Sequence, residues 1–172
     1  LQVNVTFLNT ATHESKNVSK SHLETFYSTF HEIKKDRYDG MIITGAPIEL
    51  FEFDEVDFWE EHKEILDWAQ EHVTSTMHIC WGAQAALYHY YGIGKYPLET
   101  KCSGIFDHEV YDSTVKLIRG FDDIYPAPHS RNTSISTEAV KNHPDIELLS
   151  ESDEAGAFLM ISKDERHVLV TG

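Results

Sequence analysis

Apolar and polar positions change period along the chain, and the changes predict alternating strands and helices. Residues 1–8 alternate apolar and polar side chains, as a strand does, and the apolar members are Leu1, Val3, Val5 and Phe7. A helix is predicted next because Ser21 and Glu24 form a capping-box pattern. Its apolar residues are spaced for one helix face and are Leu23, Phe26, Phe30 and Ile33.

The same pattern then recurs twice. A short apolar strand from Met41 to Ile43 leads into the loop Thr44–Pro47, which reads TGAP. The acidic segment from Asp54 onward predicts a helix, whose buried stripe would be Val56, Trp59, Lys63, Ile65, Leu66 and Ala69. A strand over residues 77–80 and a helix over about 81–91 follow. Three strand–helix repeats predict right-handed crossovers and an open parallel sheet of the α/β class.

Beyond Lys101 the pattern changes to short strands and turns. The predicted strands are VKLI at 115–118, IELL at 146–149, AFLMIS at 157–162 and HVLVTG at 167–172. A turn over residues 164–166 would join the last two strands. We expect a single domain over residues 1–172. Because the sequence begins at Leu1 and stops directly after an apolar run, we expect a protein truncated at both ends.

Charge and composition narrow the classes of function. The net charge of −15, from 29 acidic and 14 basic residues, argues against nucleic-acid binding. Residues 73–94 carry no charged side chain, but polar residues and Gly82 interrupt them, so we expect a buried strand and helix rather than a membrane span. The two cysteines, Cys80 and Cys102, form no CxxC pattern, which favours a reducing cytoplasm and predicts no metal site.

Cys80 stands where a predicted strand ends and a helix begins, in the stretch HICWGAQ. A helix N-terminus favours a thiolate, and Gly82 permits a tight turn, as in the nucleophile elbow of serine hydrolases. Ligands of open α/β sheets bind at the carboxyl ends of strands, so the TGAP loop is expected to face the same pocket. The alternative is a small buried thiol with a structural role.

Three long stretches resemble the homoserine O-acyltransferases of methionine biosynthesis. They are DGMIITGAPIELFEFDEVDFW at 39–59, HVTSTMHICWGAQAALYHYYGI at 72–93 and RGFDDIYPAPHSR at 119–131. The elbow alone also resembles the Cys-x-Gly-x-Gln motif of class I glutamine amidotransferases. The resemblance implies a flavodoxin-like, class I glutamine amidotransferase-like three-layer sandwich. It also implies acyl transfer from acyl-CoA to the γ-hydroxyl of L-homoserine through a thioester on Cys80.

The resemblance assigns further roles by position. Ala46 and Trp81 would supply the backbone N–H groups of an oxyanion hole. Lys101 and Ser130 match residues that contact substrate. Glu49 matches the position at which glutamate accompanies acetyl-CoA and glycine accompanies succinyl-CoA, and a carboxylate there would repel the charged end of succinate. We therefore predict a homoserine O-acetyltransferase with acetyl-CoA as co-substrate, no permanently bound cofactor and no metal.

The resemblance also implies that the rest of the catalytic triad, a histidine and a glutamate in a His-Pro-Glu motif, lies beyond Gly172, so we expect residues 1–172 alone to be inactive. His78 and His89 are interpreted as structural, and Cys102 as packing. Candidates for the CoA phosphates are Lys95, Arg119 and Arg131. We expect a cytoplasmic protein without membrane or nucleic-acid partners, and a homodimer is compatible with the sequence.

Three alternatives remain at this point. One is a homoserine O-succinyltransferase that uses succinyl-CoA. Another is a glutamine amidotransferase or related hydrolase, although His78 stands where such an elbow usually has glycine. The last is a binding or scaffold domain without catalysis.

Overall fold

A computed structural model describes residues 2–12, 22 and 25–172 of the chain. Its helices are α1 (Phe30–Ile33), α2 (Trp59–His72), α3 (Trp81–Tyr91) and α4 (Thr137–Lys141), with short 3-10 helices at Phe53–Glu55 and Lys116–Ile118. Its strands are β1 (Tyr38–Ile43), β2 (Val73–Ile79), β3 (Lys95–Val110), β4 (Ile124–Ile135), β5 (Ile146–Ser152), β6 (Gly156–Ser162) and β7 (His167–Val170). The strands form one sheet in the order β1-β2-β7-β6-β5-β3-β4.

The α/β class is confirmed, but only part of the sheet is parallel. Strands β1, β2 and β7 pair in parallel, whereas every other pairing is antiparallel. The turns over residues 153–155 and 163–166 join β5 to β6 and β6 to β7. Such turns are too short for the crossover that a parallel pair needs, so these strands form hairpins.

The strand predicted at the start of the chain is wrong. Residues 2–7 have no regular structure, and Val3 and Val5 are each 67 % exposed. The segment makes only one isolated bridge, between Leu8 and Ser28, in the part of the chain that the structure describes. Alternation alone does not form a strand, because a strand also needs a hydrogen-bonded neighbour.

The first predicted helix is interrupted: His22, Thr25 and Phe26 are helical, but residues 27–29 are not. Ser21, Leu23 and Glu24 lie outside the described residues. Phe26 is 60 % exposed, and the backbone of Ser28 binds Phe7 and Asn9 instead of continuing a helix. The helical pattern resumes in α1, where the Glu32 carboxylate accepts from the Thr29 N–H at 2.7 Å.

The elements around Cys80 agree with the prediction. Helix α3 has the predicted bounds, and β2 ends at Ile79 but begins at Val73 rather than at Met77. Helix α2 starts at Trp59 rather than near Asp54, and its buried face also includes His62, which the pattern did not indicate. The strand predicted over 115–118 is wrong: a 3-10 helix there buries Ile118 completely.

One hydrophobic cluster fixes α3 against the sheet. Ala83, Ala86 and Leu87 of α3 pack with Met160 of β6 and Leu169 of β7, and all five are fully buried. The helix ends at Gly92, whose φ of 68° closes a left-handed C-terminal cap. This packing holds the first residue of α3, and therefore Cys80, at the end of the parallel strands.

Strands β3 and β4 form a long antiparallel ladder that the sequence did not reveal. They pair from Glu109 with Ile124 to Lys95 with Ile135. The register shifts between Pro97 and Cys102 of β3, which marks a bulge.

Candidate active site

Cys80 occupies a sharp turn between β2 and α3. Its φ of 56° and ψ of −118° lie in a region that L-residues rarely adopt. The Cys80 N–H donates to the Val170 carbonyl of β7 at 2.7 Å, and the Ala83 and Gln84 N–H groups donate to the Cys80 carbonyl. The strained conformation is therefore held by the sheet on one side and by the helix on the other.

Two glycines allow the chain to approach this turn closely. A Cβ added at Gly82 would lie 2.8 Å from the Ile43 carbonyl oxygen at the end of β1. A Cβ added at Gly45 would lie 2.8 Å from the Cβ of Cys80 and 3.3 Å from its Sγ. Real Cβ atoms do not approach that closely, so the TGAP loop lies directly against the sulfur because Gly45 has no side chain.

The thiol of Cys80 is not the ready thiolate that its helix position predicts. Burial raises the pKa of Cys80, and the nearby Glu49 carboxylate raises it further. The Trp81 backbone N–H donates to the sulfur, and this bond and the charge of Arg131 lower the pKa, but the net shift is upward. At neutral pH the half-buried thiol therefore keeps its proton.

The two backbone N–H groups assigned to the oxyanion hole come from the first residue of α3 and from the TGAP loop. The Trp81 N–H donates to the Cys80 sulfur, as stated above. Ala46 directly follows Gly45, and its N–H donates to no acceptor within the described residues. The two N–H groups assigned to an oxyanion hole thus belong to segments that meet at Cys80.

Glu49 lies beside the same turn, and its carboxylate is held by strand β4. Oxygen Oε1 accepts from the Asn132 backbone N–H at 3.0 Å and from Asn132 Nδ2 at 2.7 Å. Oxygen Oε2 lies 3.3 Å from Thr133 Oγ1. The side chain is half-buried, and its negative charge raises the pKa of Cys80, as described above.

Lys101 and Ser130 lie on the β3–β4 ladder and are exposed. Lys101 falls within the bulge, and it also lines a surface depression of about 450 Å³ whose lining does not include Cys80. Ser130 precedes Asn132 by two residues, so its side chain leaves β4 on the same face as the amide that binds Glu49.

Arg131 is not available to a CoA phosphate, in contrast to the expectation from sequence. It is 2 % exposed, and its guanidinium donates to His129 Nδ1 at 3.2 Å, to the Thr133 carbonyl at 2.8 Å and to the Ala155 carbonyl. Because Nδ1 of His129 accepts, its Nε2 carries the proton and donates to His108 Nε2 at 2.9 Å. Lys95 Nζ donates one of its three N–H groups to the Phe51 carbonyl at 2.8 Å.

The histidines near the elbow have structural partners. Nε2 of the fully buried His78 lies 3.3 Å from Nδ1 of His167, and His89 Nε2 lies 2.7 Å from Asp67 Oδ1 on α2. Burial lowers the pKa of His78 to about 3 and that of His62 to about 4. Both rings are therefore neutral at pH 7.

Residues 2–12, 22 and 25–172 contain neither a membrane-spanning helix nor a cluster of metal ligands. No helix there is long and apolar enough to cross a membrane. No three His, Cys, Asp or Glu side chains cluster as metal ligands there.

Solved structures share the fold at low sequence identity. A glutamine amidotransferase from Thermotoga maritima superposes with a TM-score of 0.65 at 12 % identity, covering 99 % of this chain and 76 % of that protein. The glutaminase domain of Trypanosoma brucei CTPS, solved with bound acivicin, gives 0.57 at 10 % identity and covers 77 % and 62 %. At these identities the likeness concerns the fold alone.

Sequence relatives are much closer. Homoserine O-acetyltransferases of Lysinibacillus sphaericus and Clostridium acetobutylicum are 62 % and 54 % identical over 172 residues. The match includes the whole chain but only 55 % and 57 % of those two relatives, so the chain spans little more than half their length. A family model described as homoserine O-succinyltransferase matches residues 1–172. The strand–elbow–helix around Cys80 thus lies in a chain that belongs to the homoserine O-succinyltransferase family.

Proposed function

We propose that the protein containing this chain transfers an acetyl group from acetyl-CoA to the γ-hydroxyl of L-homoserine. The observation that carries the proposal is the strained Cys80 turn, with the glycine of the TGAP loop against its sulfur. Relatives at 62 % and 54 % identity are named homoserine O-acetyltransferases, which supports the same activity. A cytoplasmic location and the first step of methionine biosynthesis belong to this proposal.

The reaction would proceed in two half-reactions. The Cys80 sulfur attacks the acetyl carbonyl carbon, and the Ala46 and Trp81 N–H groups stabilise the oxyanion. The bond to the CoA sulfur then breaks, and CoA leaves as a thiol with the proton taken from Cys80. In the second half, the homoserine hydroxyl attacks the thioester, gives up its proton and expels Cys80.

The first half-reaction needs a base, because the raised pKa leaves the Cys80 thiol protonated. His78 is buried against His167, and His89 is paired with Asp67. The family resemblance implies that the base is a histidine outside residues 1–172, oriented by a glutamate. Lys101 and Ser130 would contact the polar groups of homoserine.

Acetyl rather than succinyl transfer is favoured by Glu49. Its half-buried carboxylate is fixed close enough to Cys80 to raise the pKa of the thiol. The distal carboxylate of a succinyl group bound at the same sulfur would meet this charge, whereas acetyl carries none.

The test is acylation of the full-length protein. Labelled acetyl-CoA without homoserine should leave a hydroxylamine-labile adduct on Cys80, and added homoserine should release it as O-acetylhomoserine. Cys80→Ala should lose the adduct, while Cys102→Ala, at the second half-buried cysteine, should keep it. Glutamine hydrolysis without acetyl transfer would instead identify an amidotransferase, and the absence of any adduct would indicate a binding domain.

A further inference from the structure

The Glu49 carboxylate is anchored by residues more than 80 positions away in sequence rather than by its own loop. Asn132 and Thr133 of β4 supply three hydrogen bonds to its two oxygens. A glutamate side chain has three rotatable bonds, and without partners it would distribute its charge over several positions. The three bonds confine the carboxylate to one position, from which its charge raises the pKa of Cys80.

The bulge in β3 makes the backbone bond possible. Thr133 pairs with Pro97 and Arg131 with Cys102, so Asn132 lies between them with no partner residue on β3. Its N–H is therefore free of the ladder and donates to Glu49 at 3.0 Å. The irregular register of β3 and β4 thus leaves the Asn132 backbone N–H available to the Glu49 carboxylate.

Helix α3 holds Thr133, the second residue that binds Glu49, through the side chain of Gln84. Thr133 Oγ1 accepts from Gln84 Nε2 at 2.9 Å. Its single proton has two acceptors within reach, Gln84 Oε1 at 3.1 Å and the Glu49 carboxylate oxygen Oε2 at 3.3 Å, of which only the carboxylate is charged. Gln84 and Thr133 are 3 % and 2 % exposed. Gln84 lies one helical turn after Cys80, so the helix that positions the nucleophile also positions the anchor of Glu49.

We propose that Asn132 and Thr133, supported by Gln84, form a cradle that fixes the Glu49 carboxylate and thereby determines which acyl donor acylates Cys80. This inference rests on the proposed acyl transfer. Repulsion of a succinyl group requires a charge that cannot swing away, and the cradle holds it in place. Asn132 and Thr133 act through Glu49 and are positioning residues.

A double-mutant cycle tests the cradle in the full-length protein. The rates of Cys80 acylation by acetyl-CoA and by succinyl-CoA are measured without homoserine for wild type, Asn132→Ala, Glu49→Gly and the double variant. Asn132→Ala removes a hydrogen bond to a charged group, and the preference for acetyl-CoA should fall about tenfold. Glu49→Gly should reduce the preference further. With Glu49 already absent, Asn132→Ala should change the preference by less than about twofold.

Two controls separate positioning from general damage. Asn142→Ala removes the same amide at an exposed position after α4 and should keep the wild-type preference. Thr133→Val is nearly isosteric and should lower the preference, whereas Thr133→Ser retains the hydroxyl and should restore it. This contrast would not arise if Thr133 only filled space.

The outcomes distinguish this inference from the proposed function. An unchanged preference in both Asn132→Ala and Thr133→Val, or an equal change with and without the Glu49 carboxylate, would overturn the cradle. A protein that acylates Cys80 but does not pass the group to homoserine would contradict the proposed function and leave the cradle standing.

Discussion

Cys80 owes its position to glycines on two different segments. Gly82 could be recognised from sequence because it follows the cysteine within the same turn. Gly45 acts across space, 35 positions earlier, and its contact with the sulfur follows from the pairing of β1 with β2. The loop and the turn lie together because both strands end at the same edge of the sheet.

A methyl group at Gly45 should therefore impair the site. We expect Gly45→Ala to slow acylation of Cys80 at least about tenfold, because the new Cβ would lie 2.8 Å from the Cβ of Cys80 and displace the sulfur or the loop. The measurement is the rate of adduct formation with acetyl-CoA by mass spectrometry. Gly94→Ala is the matched control, since a Cβ there meets nothing within 4 Å. Equal rates in both variants would contradict the assigned contact.

The β3–β4 ladder is the element that sequence reasoning missed. Its strands span 16 and 12 residues and contain polar, proline and glycine positions that do not alternate cleanly. Arg131 stabilises the ladder from within, because it donates to His129 and to two carbonyl groups. A guanidinium supplies five N–H donors, and three of them bind neutral acceptors here rather than a carboxylate.

Loss of Arg131 should destabilise the fold rather than remove a substrate contact. We expect Arg131→Met to lower the free energy of unfolding by about 3 kcal/mol or more, because the Thr133 and Ala155 carbonyls would lose a charged donor. Urea denaturation of the full-length protein measures the change. Arg119→Met, at an exposed arginine, should change it by no more than about 0.5 kcal/mol. A similar effect in the two variants would show that the network contributes nothing.

Buried neutral histidines are distributed through the whole molecule. Burial lowers the pKa of His62 and of His129 to about 4 and that of His78 to about 3. His108 and His167 are also shifted downward by burial. In the unfolded chain each ring binds a proton near pH 6.5, whereas the folded protein excludes that proton until the pH is much lower.

Stability should consequently fall on the acid side of neutrality. Since the unfolded state binds more protons below about pH 6.5, the free energy of unfolding should be highest above that pH and decrease toward pH 4. Each histidine whose pKa is lowered to about 3 or 4 contributes on the order of 1–3 kcal/mol to this loss of stability. Urea titrations at several pH values check the slope, and His78→Gln should flatten it. A slope identical in wild type and variant would contradict the assignment for His78.

The local elements near the site could be predicted because their signals are local. Helix α3 and the end of β2 follow from an apolar run interrupted by Cys80 and Gly82. The strand predicted over residues 1–8 does not form, because a strand needs a hydrogen-bonded neighbour as well as an alternating pattern. The described part of this segment makes only the isolated bridge between Leu8 and Ser28. The strand predicted at 115–118 failed because only Ile118 of that segment is fully buried, beside Leu149 and Leu159.

The α/β class, the turn at Cys80 and, through long motifs, the family follow from the amino-acid sequence. The tertiary structure alone decided the protonation of the Cys80 thiol, the burial of Arg131 and the anchoring of Glu49. Hydrophobic periodicity and turn-forming residues act between neighbours in the chain, whereas desolvation and hydrogen bonding depend on atoms brought together from distant positions.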